Sequence, residues 1–307
     1  MAASLSTKDG RSTVTALAPG HSARLVIVAT TEDGRRFVTV GAGHGNVLFD
    51  SFTYAPGVVQ MNKPGIVSMP ADPRVSEGQT AHLRVTPIGH PDVVADLEIP
   101  VRYDIAYQAN FSGSDGFPGI DGFPGTDGMS GSDGALPVVD PSTGTAGTPG
   151  PGGNGSDGGN GTDGGNGGDG SPGGAAHIWM RLTSDKNPLL QIKAVGNGHE
   201  FLYLVDPNGG SLKVLANGGR GGRGGSGGRA GRGGTGGVGF PSGQNGLDGR
   251  SGFDGRPGND GAAGTITVSA DPNAQMYLAN LHLSNSRGDG RPGPAPTILI
   301  ESVQALW

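Results

Sequence analysis

Residues 22–31, SARLVIVATT, place apolar side chains at every second position, the rhythm of a strand with one buried face. Similar short, β-branched runs occur at STVTAL (12–17), RRFVTV (35–40), TAHLRVTP (80–87) and VVADLEIPV (93–101). Turn signals such as Asp33-Gly34 and Pro91-Asp92 separate them. This spacing predicts a seven-stranded β-sandwich over residues 1–110.

A second β-rich region is divided around glycine-rich sequence. Its expected strands are AAHIWMRL (175–182), PLLQIKAV (188–195), HEFLYLV (199–205), SLKVLA (211–216), TITVSA (265–270), MYLANLHL (276–283) and TILIESV (297–303). Asn197-Gly198 and Asp206-Pro207-Asn208-Gly209 supply hairpin turns. No stretch carries a helical period, so the expected fold class is mainly β with almost no α-helix.

Between and within these regions glycine recurs at every third residue in four segments: Gly113–Gly134, Gly155–Gly173, Gly219–Gly237 and Gly243–Gly264. A period of three matches a polyproline-II-type helix, with about 3.1 Å of rise per residue. The first and fourth segments have one glycine column. The second and third have two, with Ala230 substituting once. A glycine column is where a neighbouring backbone can approach, so two columns suit a central rod and one suits an outer rod. Isolated polyproline-II rods have no internal hydrogen bonds, and glycine-lined rods can supply them to one another. The expectation is a self-contained polyproline/polyglycine-II bundle rather than a collagen trimer. Its rods one and two would lie in 111–174. Rods three and four, in 219–264, would be inserted in a β module made of 175–218 and 264–307. SLKVLA and TITVSA, which flank rods three and four, are expected to pair at the base. The turns VGFPSGQ (238–244) and ALPVVDPSTGTAGTPGPGG (135–153) are expected at the far tips.

With 63 Gly and 23 Pro in 307 residues, the period is what argues against a disordered chain. Cysteine is absent, which excludes disulfides, thiolate metal sites and a cysteine nucleophile. The net charge of −6 argues against binding nucleic acid through the whole protein. No apolar run approaches the ~20 residues of a membrane span. The start MAASLSTKDGR lacks a basic-then-apolar export signal, which leaves open a chain without one or a chain from which it was removed.

Charge is sorted by segment. Residues 111–174 contain eight Asp and no Lys or Arg, whereas 217–242 contain four Arg and no acid. Segment one carries a column of Asp115, Asp121, Asp127 and Asp133 beside a column of Phe117, Ile120, Phe123 and Met129. Segment three carries Arg220, Arg223, Arg229 and Arg232. Opposite charges on neighbouring rods are expected to help fix the pairing.

On these residues the chain resembles three groups of proteins. NGGRGGRGG (217–225) is similar to the glycine-rich N-terminal domain of Obg-type GTPases, where such rods project from a β base. The four triplet segments resemble the receptor-binding tips of phage long tail fibres. The order of sandwich, triplets and strands is similar to collagen-like surface lipoproteins of Gram-negative bacteria. VSEGQTAHLRV (75–85) resembles one strand of bacterial immunoglobulin-like domains, which implies an Ig-like sandwich. There is no GxxxxGK[ST], so GTPase activity is not implied.

The candidate chemistry reduces to a few places. GGNGSDGGNGTDGGNGGD (152–169) is similar to calcium-binding nonapeptide repeats. Its period is six rather than nine, and Asp157, Asp163 and Asp169 would lie about 19 Å apart along a rod. Calcium needs six to eight oxygens at one point, so the metal expectation is none, with these three as the candidates. RGGRGGSGGRAGRGG (220–234) lacks the aromatics of RNA-binding RGG segments. GAGHGN (41–46) leads into Val47 and more strand-like sequence rather than a helix, so it reads as a turn. Arg287-Gly288-Asp289 matches the integrin tripeptide by chance expectation. The histidines form no HxH, HxxxH or HExxH pattern, and GxSxG is absent.

The expected function is non-enzymatic: an extracellular structural or adhesive protein, on a cell surface or virion, with rods that display loops. The expected binding residues are Val138, Asp140, Phe240 and Gln244 at the tips. The expected partner is a surface receptor, a glycan or a neighbouring structural protein, with no cofactor, no membrane span and no nucleic acid. The competing expectation is an intracellular assembly or nucleic-acid-associated module that uses the Arg column.

Overall fold

The computed structural model describes residues 1–7, 9–183 and 187–307. It is mainly β, with 32% strand and 6% helix distributed over several sheets. The N-terminal part contains β1 (Ala2–Ser6), β2 (Thr13–Val14), β3 (Ser22–Thr30), β4 (Arg36–Val38), β5 (Phe52–Gly57), β6 (Gln60–Lys63), β7 (Ile66–Ser68), β8 (Ala81–Pro87) and β9 (Ala95–Ile99). One sheet has the order β2-β1-β3-β7-β6 with β4 also on β3, and the other is β5-β8-β9. The alternation read in the sequence decides the faces. Leu25 and Ile27 of β3, Leu83 and Val85 of β8 and Ile99 of β9 point into one shared core. Burial of each such side chain contributes about 1.5–3 kcal/mol.

The second core is built from β10 (Ala106–Asn110), β11 (Ala176–Leu182), β12 (Leu190–Gly196), β13 (His199–Val205), β14 (Ser211–Leu215), β15 (Ile266–Ala270), β16 (Leu281–Ser284) and β17 (Thr297–Ile300). They form two sheets, β10-β14-β16 and β13-β12-β11-β15-β17. Phe111, Ile178, Met180, Ile192, Leu212 and Val268 pack between them. The two cores meet at Glu77. Its carboxylate accepts the Gln191 side-chain amide at 3.3 Å and the Trp307 indole N–H at 2.6 Å.

Three expectations need correction. Among the described residues the N-terminal part has nine strands, not seven, and residues 106–110 belong to the second core through β14. Residues 276–280 of MYLANLHL lie in a 3-10 helix, Pro272–Asn280, capped by the Asp271 side chain on the Asn273 N–H; only Leu281–Ser284 is strand. A proline just after a capping Asp favours that helical start over an extended one. Finally, β14 and β15 do not pair. They lie in different sheets, where β14 pairs in parallel with β10 and β16, and β15 with β11 and β17.

The reason for these parallel pairs lies in the glycine triplets. We call their paired stretches T1 (113–134), T2 (152–174), T3 (217–238) and T4 (243–264). None is strand or helix. Their backbones are instead joined at every third residue. Gly113 through Gly134 donate to T3 carbonyls from Asn217 to Val238, so T1 and T3 run parallel. T2 donates antiparallel to T1, from Gly153 on Ser132 to Gly174 on Phe111, and parallel to T4, from Gly155 on Gln244 to Gly173 on Ala262. T3 donates antiparallel to T2, and T4 antiparallel to T3. T2 and T3 therefore form the shared middle, with T1 and T4 on either side.

Strands inherit this arrangement. β10 leads into T1 and β14 into T3, and Ala106 pairs with Ser211 at the same 105-residue offset that relates Asp115 to Arg220. β11 leaves T2 and β15 leaves T4, and their 90-residue offset (Ala176 with Ile266) is that of Asp157 and Leu247. A third register continues in the same way. Leu212 pairs with Leu281, and beyond them the Asn217 side chain accepts the Ser286 N–H, both 69 residues apart.

Candidate functional site

Close approach sets the composition of the triplets. A Cβ on Gly225 would lie 2.1 Å from the Ile120 carbonyl oxygen, where no side chain fits. The second glycine column of T2 is looser: a Cβ on Gly165 would meet the Ile120 nitrogen at 3.1 Å. Ser156, Thr162 and Ser171 occupy that same column. There the hydroxyls of Thr162 and Ser156 accept the N–H groups of Phe123 and Met129, each at 2.7 Å.

Acceptor side chains finish the ladder. Asp115, Asp121, Asp127 and Asp133 accept the backbone N–H groups of Arg220, Ser226, Arg232 and Val238 at 2.7–2.8 Å. In T2, Asn154, Asp157, Asn160, Asp163, Asn166 and Asp169 accept T4 N–H groups from Gln244 to Asn259. In T4, Asp248, Asp254 and Asp260 do the same for Gly233, Gly227 and Gly221. Short side chains ending in an oxygen are suited to this position, because they reach one rod across and satisfy a donor that the carbonyl ladder leaves over.

This changes the reading of the charged columns. Among the described residues, none of Arg220, Arg223, Arg229 and Arg232 makes an ion pair; the ion pairs present lie outside the triplets. Asp115 reaches Arg220 through that residue's backbone. Pairing of T1 with T3 thus rests on hydrogen bonds, and the expected charge ladder is replaced by a carboxylate–amide ladder. Asp157, Asp163 and Asp169 are each engaged by a backbone N–H. Among the described residues no three His, Cys, Asp or Glu are grouped to hold a metal ion.

The two distal turns stand side by side. The Phe240 N–H donates to the Gly150 carbonyl and the Gly152 N–H to the Pro241 carbonyl, each at 3.0 Å, with a cis bond between Phe240 and Pro241. Leu136, Val138, Val139, Val238 and Phe240 are exposed there. Asp140 closes the longer turn: its carboxylate accepts the Ser142 N–H at 2.8 Å and hydroxyl at 2.6 Å. The Ser142 hydroxyl is the main cause that holds the Asp140 carboxyl below its usual range. Val138, Asp140 and Phe240 lie in these turns, and Gln244 is exposed on the first rung beneath them, with its N–H and carbonyl in the T2–T4 ladder.

His177 Nε2 lies 2.9 Å from the Ser269 hydroxyl, but Ser269 is fully buried and beyond the reach of a substrate. Gly288 of the Arg-Gly-Asp tripeptide packs against the base of T3 and T4, with its N–H on the Gly261 carbonyl, while Asp289 pairs with Arg291. Among the described residues no helix is long and apolar enough to cross a membrane. Comparison with protein-family models, with characterised proteins and with solved structures returned no match.

Proposed function

We propose that this is a non-enzymatic extracellular protein, structural or adhesive, that carries recognition loops on a stiff rod bundle. The triplets are read as polyproline/polyglycine-II helices and the N-terminal sheets as an Ig-like sandwich. The observation that carries the reading is the unbroken three-residue ladder: bonds of 2.7–3.0 Å run from the second core to the paired turns at 135–151 and 238–242. At about 3.1 Å per residue the rods extend roughly 60–70 Å from their base. Binding residues concentrate on loops held by a rigid scaffold, and Val138 and Phe240 offer apolar contact beside the polar Asp140. In the same geometry Asp residues six apart stand about 19 Å from one another, beyond the ~8 Å screening length, so a carboxylate column costs little in repulsion.

The test is binding of fluorescently labelled protein to a panel of intact bacterial cells and to a glycan array. Wild type should bind at least one surface, and Val138→Ser with Phe240→Ser should bind it at least tenfold more weakly with an unchanged circular dichroism spectrum. Equal binding by the tip variant removes the tips from the site, and no polyproline-II signature in that spectrum removes the bundle. A second reading, a polyanion-binding assembly module, draws on the unpaired Arg column. Retention on heparin that weakens steeply with salt would favour it.

A further inference from the structure

Phe117, Ile120 and Phe123 form an apolar stripe along the flank of T1, where they are 84%, 78% and 73% exposed. Their direction follows from the ladder. The glycine column of T1 abuts T2 and donates to T3, and the Asp column reaches T3, so the third column is left to solvent. Contiguous apolar surface of this kind is unusual on a monomer and marks an interaction site.

The order of residues along the flank says what covers it. Between Ser114 and Thr126 the stripe column reads Ser114, Phe117, Ile120, Phe123, Thr126, the same chemistry in both directions about Ile120; exposed Met129 extends it on the distal side only. The adjoining column reads Asp115, Pro118, Asp121, Pro124, Asp127, again the same in both directions. In an antiparallel pair about a twofold axis each position meets its counterpart on the other side of the axis, so this order sets apolar against apolar and hydroxyl against hydroxyl, the self-complementarity that an isologous contact needs. We propose that the flank of T1 is a self-recognition surface on which two copies cross antiparallel. Ile120 lies on the twofold axis, and each Phe117 faces Phe123 of the partner subunit.

Two further observations fit this occupant. The prolines carry no N–H, so covering the flank strands fewer backbone donors, and the three carboxylates are already turned onto T3 amides. Aromatic side chains bury about 150–250 Å² each, so three side chains of about this size per copy remove roughly 900–1,500 Å² in total, around the ~1,200 Å² lower limit of a specific, stable interface. The dimer is therefore expected to be weak. Phe111, one triplet before Ser114, is buried under the second core. The flank ends at that base, nine residues from Ile120, while T1 runs fourteen residues the other way to Gly134, so a crossing angle is what keeps each base clear of the partner's distal end.

The absence of cysteine makes the test direct. Sedimentation velocity of the full chain should show a monomer–dimer shift with concentration, and Ile120→Asp should abolish it while Phe253→Asp on T4 leaves it intact. Under mild oxidation Ile120→Cys should cross-link to itself. Phe117→Cys should cross-link to Phe123→Cys in a mixture in severalfold excess over self-linked products of either. Ile120→Cys also serves as the reporter if Ile120→Asp fails to fold. A wild type that stays monomeric at all concentrations overturns the proposal. So does preferential self-linking of Phe117→Cys, which would mean parallel association, or a monomer that binds only other proteins through this flank.

Discussion

Asp115 and Arg220 are neighbours of opposite charge that do not form an ion pair: the carboxylate accepts the arginine's backbone N–H at 2.7 Å. The guanidinium plays no part in holding the two segments together. The same holds for Asp127 and Arg232 at 2.8 Å. Register along T1 and T3 is thus set by acceptor position rather than by charge, with the following consequences.

Glycine columns differ in tolerance. Gly225→Ala would drive a Cβ into the Ile120 carbonyl and is expected to cost roughly 1–3 kcal/mol, the range of overpacking. Gly165→Ser should instead stabilise, because its hydroxyl can take the Ile120 N–H as Ser156 takes that of Met129 at 2.7 Å. Thermal melts of the two variants should move in opposite directions.

The acceptor column needs an oxygen and not a charge. Asp163→Asn should leave the melting temperature within about 1 °C, since Asn160 and Asn166 already act as acceptors beside it. Asp163→Ala releases the Phe253 N–H and should lower the melting temperature by about 2–4 °C. Equal losses for both substitutions would mean that the charge matters after all.

His177 gives the fold a pH dependence. Desolvation is the main cause that holds its proton affinity below the usual value, with Glu301 opposing it. The unfolded chain therefore takes up the proton first, near pH ~6.5. Stability is full above that pH and falls as pH drops below it, until the folded ring is itself protonated. Between pH 7.5 and 5 the wild type should lose more melting temperature than His177→Gln.

Glu77 clasps the C-terminal Trp307 and Gln191 at once. Hydrogen bonds to a charged group are worth about 1.5–3 kcal/mol. In a Trp179→Phe background, Glu77→Ala should shift the remaining indole emission to longer wavelength and speed proteolysis after residue 300, with Glu77→Gln intermediate.

Strands with strong alternation are legible in the sequence. His199–Val205 matches residue for residue, and Ser22–Thr30 and Ala81–Pro87 match within a residue. The strands that alternation does not reveal are short, small-sided or interrupted: AASLS in β1, FTYAPG with its internal proline in β5, and AYQAN in β10. Pairing is harder to read. β14 and β15 look like partners because each adjoins a triplet run, yet strands of five residues carry little information about their neighbours. Their partners follow from which triplets run parallel, and that is decided by contacts tens of residues away. At the candidate site, Val138, Asp140 and Phe240 are readable as loop residues. The Asp columns read as charge in the sequence, because a carboxylate's use as a backbone acceptor has no signature until its neighbour is known.

The shared offsets of strands and triplets also restrict how such a molecule can change in size. One extra Gly-x-y unit in T1 alone would slide every acceptor beyond it past its donor. To keep its bonds the stack must gain or lose a whole storey, one unit in each of four columns at once. The turns at the summit lie outside that constraint, and they are where lengths and residues can drift freely while the tower beneath them stays the same height.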